Sequence, residues 1–165
     1  MEPNEVFIAT TIASWKQITG RVDKGVASYT DEQLEREVAP GRNRVRYLLG
    51  HLTALNDRLF EGLGLGERLH PELDDAYVTN PDRALPDPVS ADELKKAWLE
   101  VNSKLTAAIE QMTPSQWLER HNSVSAEDFA KEPLRNRLAM ILSRTNHTAM
   151  HSGQMLLAKD RANGN

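Results

Sequence analysis

The sequence predicts an all-α protein, a four-helix bundle with long connecting loops, on three observations. Apolar residues recur in steps of three and four along four separate stretches, the period of one buried helix face. Helix-start signals precede these stretches and Gly or Pro clusters interrupt the chain between them. No segment alternates with period two, as a half-buried strand would. At 165 residues the chain is close to one typical domain, with its core over about residues 5–160.

The first helix carries Ile8, Ile12, Trp15, Thr19, Val22, Val26 and Tyr29 on one seam and stops near Ser28 to Asp31. A short amphipathic piece follows, with Thr30 as N-cap and Gln33 closing a capping box. Pro40-Gly41 breaks the chain. The second long helix is expected to start around Asn43, to seam on Leu48, Leu52, Leu55 and Leu59, and to end at Gly62, Gly64 and Gly66. Residues 64–89, with Pro71, Pro81, Pro86 and Pro88, read as a long loop, a type that is often functional. Ser90-Ala91-Asp92-Glu93 is a capping box for the third helix, whose seam is Leu94, Trp98, Val101, Leu105, Ala108 and Met112. Thr113 to Trp117 restarts a short turn, and residues 120–132 read as another loop. The fourth helix is expected from Pro133, well placed as a first helical residue, to Ala158. Its seam runs Leu134, Leu138, Ile141, Thr145, Thr148, Ser152, Met155 and turns polar at Thr145, a switch that suits a buried polar site. The two long links leave helix order and direction open.

Composition narrows the function classes. Hydrophobic residues make up 39% and charged residues 27%, which suits a soluble globular domain. Net charge −4 argues against a nucleic-acid surface. The one basic cluster, Arg42, Arg44 and Arg46, reads as a solvated helix start. No apolar run approaches a membrane span, the acidic first residues lack the apolar core of a secretory signal, and a cytoplasmic address is the default. The chain has no cysteine, so disulfides, thiolate ligands and a cysteine nucleophile are excluded.

The chemistry sits in three histidines. His147 and His151 are one turn apart on a helix, with Cβ atoms about 5–6 Å apart on one face. Two ligands of a tetrahedral zinc lie roughly 3.3 Å apart, a distance that such a pair reaches without strain. His51 lies on the inward side of its helix beside Leu48 and Leu55 and offers a third nitrogen. Three neutral ligands leave an open position, which catalytic metals keep. Imidazole suits zinc, nickel, iron or copper, with zinc or nickel foremost. Arg144 and Gln154 extend the same polar stripe. Gln154 is a candidate to orient a ligand or steady a histidine, and Arg144 reads first as a solvated arginine and second as a partner for a substrate carboxylate. His70 and His121 stand in loops and read as exposed, and Asp74-Asp75 reads as solvated surface. The Gly62-x-Gly64-x-Gly66 run follows a helix rather than a strand and fails the context test of a dinucleotide loop. Trp15 and Trp98 are most simply core.

Tyr47-Leu48-Leu49-Gly50-His51-Leu52, followed far downstream by His147-x-x-x-His151-Ser152-Gly153-Gln154, resembles the DinB superfamily, also described as YfiT-like metal-dependent enzymes. The likeness spans about residues 5 to 160. It implies a four-helix bundle holding a divalent metal ion on His51, His147 and His151, and commonly a homodimer. The characterised branches of that family resemble transferases and isomerases that use low-molecular-weight thiols such as bacillithiol or mycothiol. Members often carry an arginine at the Ser152 position and an acidic residue near Thr148 and Ala149, so the substrate does not carry over. In a chain without cysteine the thiol must arrive as a cosubstrate. Hydrolysis by metal-bound water and a non-catalytic small-molecule-binding bundle are the alternatives, and neither nucleic acid nor membrane is an expected partner.

Overall fold

The computed structural model describes residues 2–160. Seven helices follow in order: α1 (Pro3–Ser28), α2 (Asp31–Leu34), α3 (Val45–Gly62), α4 (Ala91–Glu110), α5 (Pro114–Trp117), α6 (Ala126–Lys131) and α7 (Arg137–Asp160). The described residues contain no strand, only two isolated bridge pairs, Glu37 with Arg44 and Arg120 with Asn136. None of their helices is long and apolar enough to cross a membrane.

The four long helices pack in the cyclic order α1–α4–α3–α7. Side-chain pairs give their directions. Trp15 donates to Thr106, and Trp98 donates to Asp23, so α1 and α4 are antiparallel. Phe7 and Thr11 share a cleft with Leu138 and Leu142, while Lys159 donates to Ser28 and Tyr29 donates to the Met155 carbonyl, so α1 and α7 are parallel. His51 meets His147, and Gly62 lies against Met140, so α3 and α7 are antiparallel. It follows that α3 and α4 are parallel neighbours. A tight turn cannot join parallel helices. The chain must travel back the length of α3, whose 18 residues span about 27 Å at 1.5 Å each. The long link after α3 is that crossover.

The crossover is not a structureless loop, as the prolines suggested. It folds a 3₁₀ turn at Pro71–Leu73 and a π turn at Asp75–Thr79, and it buries Leu73 and Tyr77 against α3. Polar anchors hold it. The buried Asp57 carboxylate accepts from the Leu69 and His70 amides and from Arg68. Asp74 bridges Arg58 (2.8 Å) and Arg68 (2.6 Å), so it is not the solvated surface group expected. Arg44 is not part of a solvated helix start either. It is 6% exposed and pairs with Asp82, Asp87 and Glu35, while Arg46 pairs with Glu35 and Asp87 and donates to the Val89 carbonyl. These contacts pin the far end of the crossover to the start of α3.

Other boundaries differ from expectation for local reasons. Helix α7 starts at Arg137, four residues after Pro133, because the Asn136 side chain accepts from the Ala139 amide and acts as the cap. Leu134 is therefore 77% exposed rather than on the seam. Within 120–132 the Ser125 hydroxyl caps a short helix, α6. Leu55 is half-buried, and its neighbours Asn56 and Asp57 are buried.

The core divides in two. One cluster gathers around Trp98, Tyr29, Leu49 and Met155, and the other around Trp15, Trp117, Leu105 and Ile141. Buried Thr19, Asn56, Thr145 and Thr148 lie in sequence between the two clusters on their helices, and Asn56 donates at 2.8 Å to Asn102, buried near that boundary on α4. The polar switch at Thr145 thus marks a polar layer within the bundle.

Candidate metal centre

His51 projects from the first half of α3, and His147 and His151 project from the middle of α7. Antiparallel packing brings these stretches together. The three rings meet through Nε2 atoms, His51 to His147 at 3.4 Å and His151 to His147 at 3.1 Å. Their nearest ligand atoms all lie within 4.8 Å of one another, and the three residues are partly buried. His70 and His121, candidates for a fourth ligand, do not join them. His70 is partly buried between Glu72 and Glu100, and His121 is partly buried elsewhere.

The opposite edges of two rings are fixed. Nδ1 of His51 lies 2.8 Å from the Tyr77 carbonyl oxygen, and Nδ1 of His151 lies 2.7 Å from Gln154 Oε1. Oxygens of this kind only accept, so both Nδ1 atoms carry the proton and both Nε2 atoms present bare lone pairs. Gln154, one turn after His151, is the residue whose amide oxygen meets that ring. The Nδ1 of His147 is buried without a partner.

Tyr77 enters through backbone geometry. The π turn at 75–79 lays its ring flat on α3, where only a glycine fits. A Cβ on Gly50 would stand 2.5 Å from the Tyr77 ring. Gly50 therefore bears the roughly 1 kcal/mol cost of glycine inside a helix for the sake of this contact, which sets the Tyr77 carbonyl on His51. The ring hydroxyl donates to Asp87, and burial first, then that carboxylate's charge, push its pKa up to about 12.

The electrostatics keep imidazoles neutral. Burial, then the charges of His151, Arg144 and His51, push His147 down to about 4. Burial also lowers His51, and the hydrogen bond to Tyr77 offsets only part of that. Neutral imidazole is the metal-ligating form. Two bare nitrogens aimed at a third at 3.1–3.4 Å would repel one another unless a proton or cation lies between them. The separations match the roughly 3.3 Å between nitrogens on one tetrahedral ion. The donor set therefore fits a divalent ion. Among the described residues no carboxylate joins the cluster, so three neutral ligands would leave the ion's full charge and an open position.

Arg144, expected first as a solvated arginine, is instead partly buried beside the imidazoles, and its Nε has no acceptor.

The family model of the DinB superfamily matches residues 14–155, most of the chain. No curated protein matches the sequence. A crystal structure described as the conserved protein of locus from Enterococcus faecalis is similar with a TM-score of 0.62, covering 100% of this chain and 99% of that one at 15% identity. At that identity the likeness speaks for the fold alone.

Proposed function

The chain belongs to the DinB superfamily, and from that premise we propose that it is a divalent-metal-dependent S-transferase that takes a low-molecular-weight thiol as cosubstrate. His51, His147 and His151 are the proposed ligands, and zinc or nickel is the proposed ion. The observation that carries the reading is the convergence of three Nε2 atoms whose outer edges are held by the Tyr77 carbonyl and the Gln154 amide. A divalent ion there supplies Lewis acidity, which favours a thiolate over a thiol near neutral pH. The protein's own part is positional. Tyr77 and Gln154 fix the ring planes of His51 and His151. The buried surroundings lower the pKa of His51 and His147 and so favour their neutral form. The missing cysteine means the sulfur must come from outside the chain. In the overall reaction a sulfur–carbon bond forms as the carbon's bond to its leaving group breaks, and the thiol proton passes to solvent.

Elemental analysis of protein purified without chelators tests the first half. About one divalent ion per chain is expected, and it should be lost in His147→Ala. A panel of low-molecular-weight thiols with a reactive electrophile tests the second half. Conjugation that depends on metal and on His147 supports the transferase. Ester or amide cleavage with no conjugation favours a hydrolase instead.

A further inference from the structure

Arg144 is the one partly buried arginine of α7 that lies beside the imidazoles, and no described carboxylate pairs with it. Arg120, also partly buried, donates to the Val124 carbonyl, and the arginines that line α3 and its crossover have carboxylates. Arg44 and Arg46 have Glu35, Asp82 and Asp87, Arg68 has Asp57 and Asp74, Arg58 has Asp74, and Arg137 has Glu119. Among the described residues the buried Arg144 Nε has no hydrogen-bond acceptor. Burying an N–H donor without an acceptor is costly.

Its surroundings deepen the deficit. Arg144 and His151 are seven residues apart on α7, and His51 and Arg58 are seven apart on α3. The two helices are antiparallel, with His51 at the level of His147 and Gly62 at the level of Met140. Arg144 therefore lies one turn from His147 and Arg58 two turns from His51, both on the same side of the histidine level, where Arg58 raises the positive potential at Arg144. Each lowers the ease of protonating its neighbours, Arg58 acting on Arg144 and both acting on His51. Among the described residues the only carboxylate on Arg58 is Asp74, which it shares with Arg68. The Asp57 oxygens are spent on Arg68 and two backbone amides. A cleft of about 430 Å³ opens beside Arg58 and reaches Gly62 and Asn122. Glu61 also borders that cleft but is exposed and makes no ion pair with Arg144.

We infer that Arg144, backed by Arg58, is an anion subsite that takes an oxyanion, foremost a carboxylate, on the same small molecule that presents its reactive atom to the three histidines. This rests on the metal reading above for the position of that reactive atom, but not for the anion itself. Arg144 and His147 are three apart on one helix face, with Cβ atoms about 5–6 Å apart, so the carboxylate sits a few bonds along the ligand from its metal-seeking atom. A planar guanidinium with free donors matches a carboxylate or phosphate with two parallel hydrogen bonds. The ligand class is thus a thiol, or its electrophile, bearing a carboxylate a few bonds from the reacting centre. A divalent ion on three neutral ligands only increases the demand for negative charge here.

The test has two arms. In the first, calorimetry on zinc-loaded protein compares 3-mercaptopropionate with its neutral amide. Wild type should bind the acid about ten- to a hundredfold more tightly, as a charge-assisted hydrogen-bond pair confers. Arg144→Gln should bring the ratio near one and leave the amide's affinity unchanged, and Arg144→Lys should restore part of the preference. In the second arm, metal-free protein is melted with acetate or inorganic phosphate at constant ionic strength. Either anion should raise the melting temperature of wild type more than that of Arg144→Gln, and without the anion the variant should melt no lower than wild type. The idea is overturned if the acid-to-amide ratio is the same in both proteins. It is equally overturned if anions shift both melts alike while the variant melts lower, for then Arg144 is a packing residue. Should zinc-loaded wild type bind neither thiol, the transferase reading falls by itself, and the metal-free melts still decide the role of Arg144.

Discussion

Two regions of this molecule bury arginine and treat it oppositely. At the start of α3, Arg44 is enclosed by Asp82, Asp87 and Glu35, with its backbone amide on Asp82 as well. Between α3 and α7, Arg144 is partly buried near the imidazoles and Arg58, and among the described residues no carboxylate pairs with it. Both are internal cations, but the first is satisfied within the chain and the second is not. A satisfied charge holds two segments in register, here the crossover and α3. An unsatisfied one is a standing cost, tolerated where something else arrives to meet it. The same contrast separates the histidines. His70 sits between Glu72 and Glu100, whereas the bare nitrogens of His51 and His151 have only one another and His147.

The sharpest break of that comparison is Arg44→Ala. It strands Asp82, whose side chain is only 7% exposed, and removing one partner of a buried pair costs about 3–5 kcal/mol. Urea unfolding should register that loss, while Arg144→Gln should register almost none. Equal losses in both would erase the distinction.

Gly50→Ala is the next largest. The added methyl stands 2.5 Å from Tyr77, an overpacking worth about 1–3 kcal/mol. The ring and its carbonyl must shift away from His51, so zinc affinity should fall together with stability. A variant that loses stability but keeps full zinc affinity would show that the Tyr77 carbonyl does not orient His51.

Gln154→Leu separates orientation from packing. Losing the acceptor on His151 Nδ1 should weaken zinc binding by about ten- to a hundredfold, with urea unfolding of the metal-free protein nearly unchanged. Competition with a chelating dye measures this. An unaltered affinity would reduce Gln154 to a helix-surface amide.

The smallest effect is a pH slope. In the folded, metal-free protein His147 takes its proton only at about 4, against an ordinary 6.5 in the unfolded chain. Between these values the unfolded chain binds more protons, so stability falls as pH drops from 6.5 towards 4 and is fully present above that window. The drop in urea midpoint from pH 7 to pH 5 should be smaller in His147→Asn than in wild type. Identical drops would place the titration elsewhere.

Much of this was legible in the sequence. Steps of three and four located all four long helices, and the capping boxes at Thr30 and Ser90 are formed as expected. Helical spacing and an inward-facing position singled out the three histidines that the fold brings together. The rest was hidden for identifiable reasons. The Tyr77 partner of His51 is a backbone carbonyl, which every residue has, so no residue type marks it. A glycine in mid-helix at position 50 was the available hint that something packs closely there. The burial of Arg44 and Asp74 depends on carboxylates and guanidiniums many positions apart, and charge at short range in the sequence says nothing of that. Proline spacing in 64–89 indicated irregular chain but not that α3 and α4 are parallel, which only the packing of α7 and α1 settles.

The crossover also sets a schedule. The imidazoles that meet are separated by 96 positions, and the ring at 51 gains its orienting carbonyl only after the return strap has wrapped α3. A growing polypeptide emerging from the ribosome cannot assemble this trio until the middle of α7 has left the exit tunnel. An ion captured there would act as a late rivet that slows unfolding, unlike the ion of a zinc finger, which templates the fold from the outset.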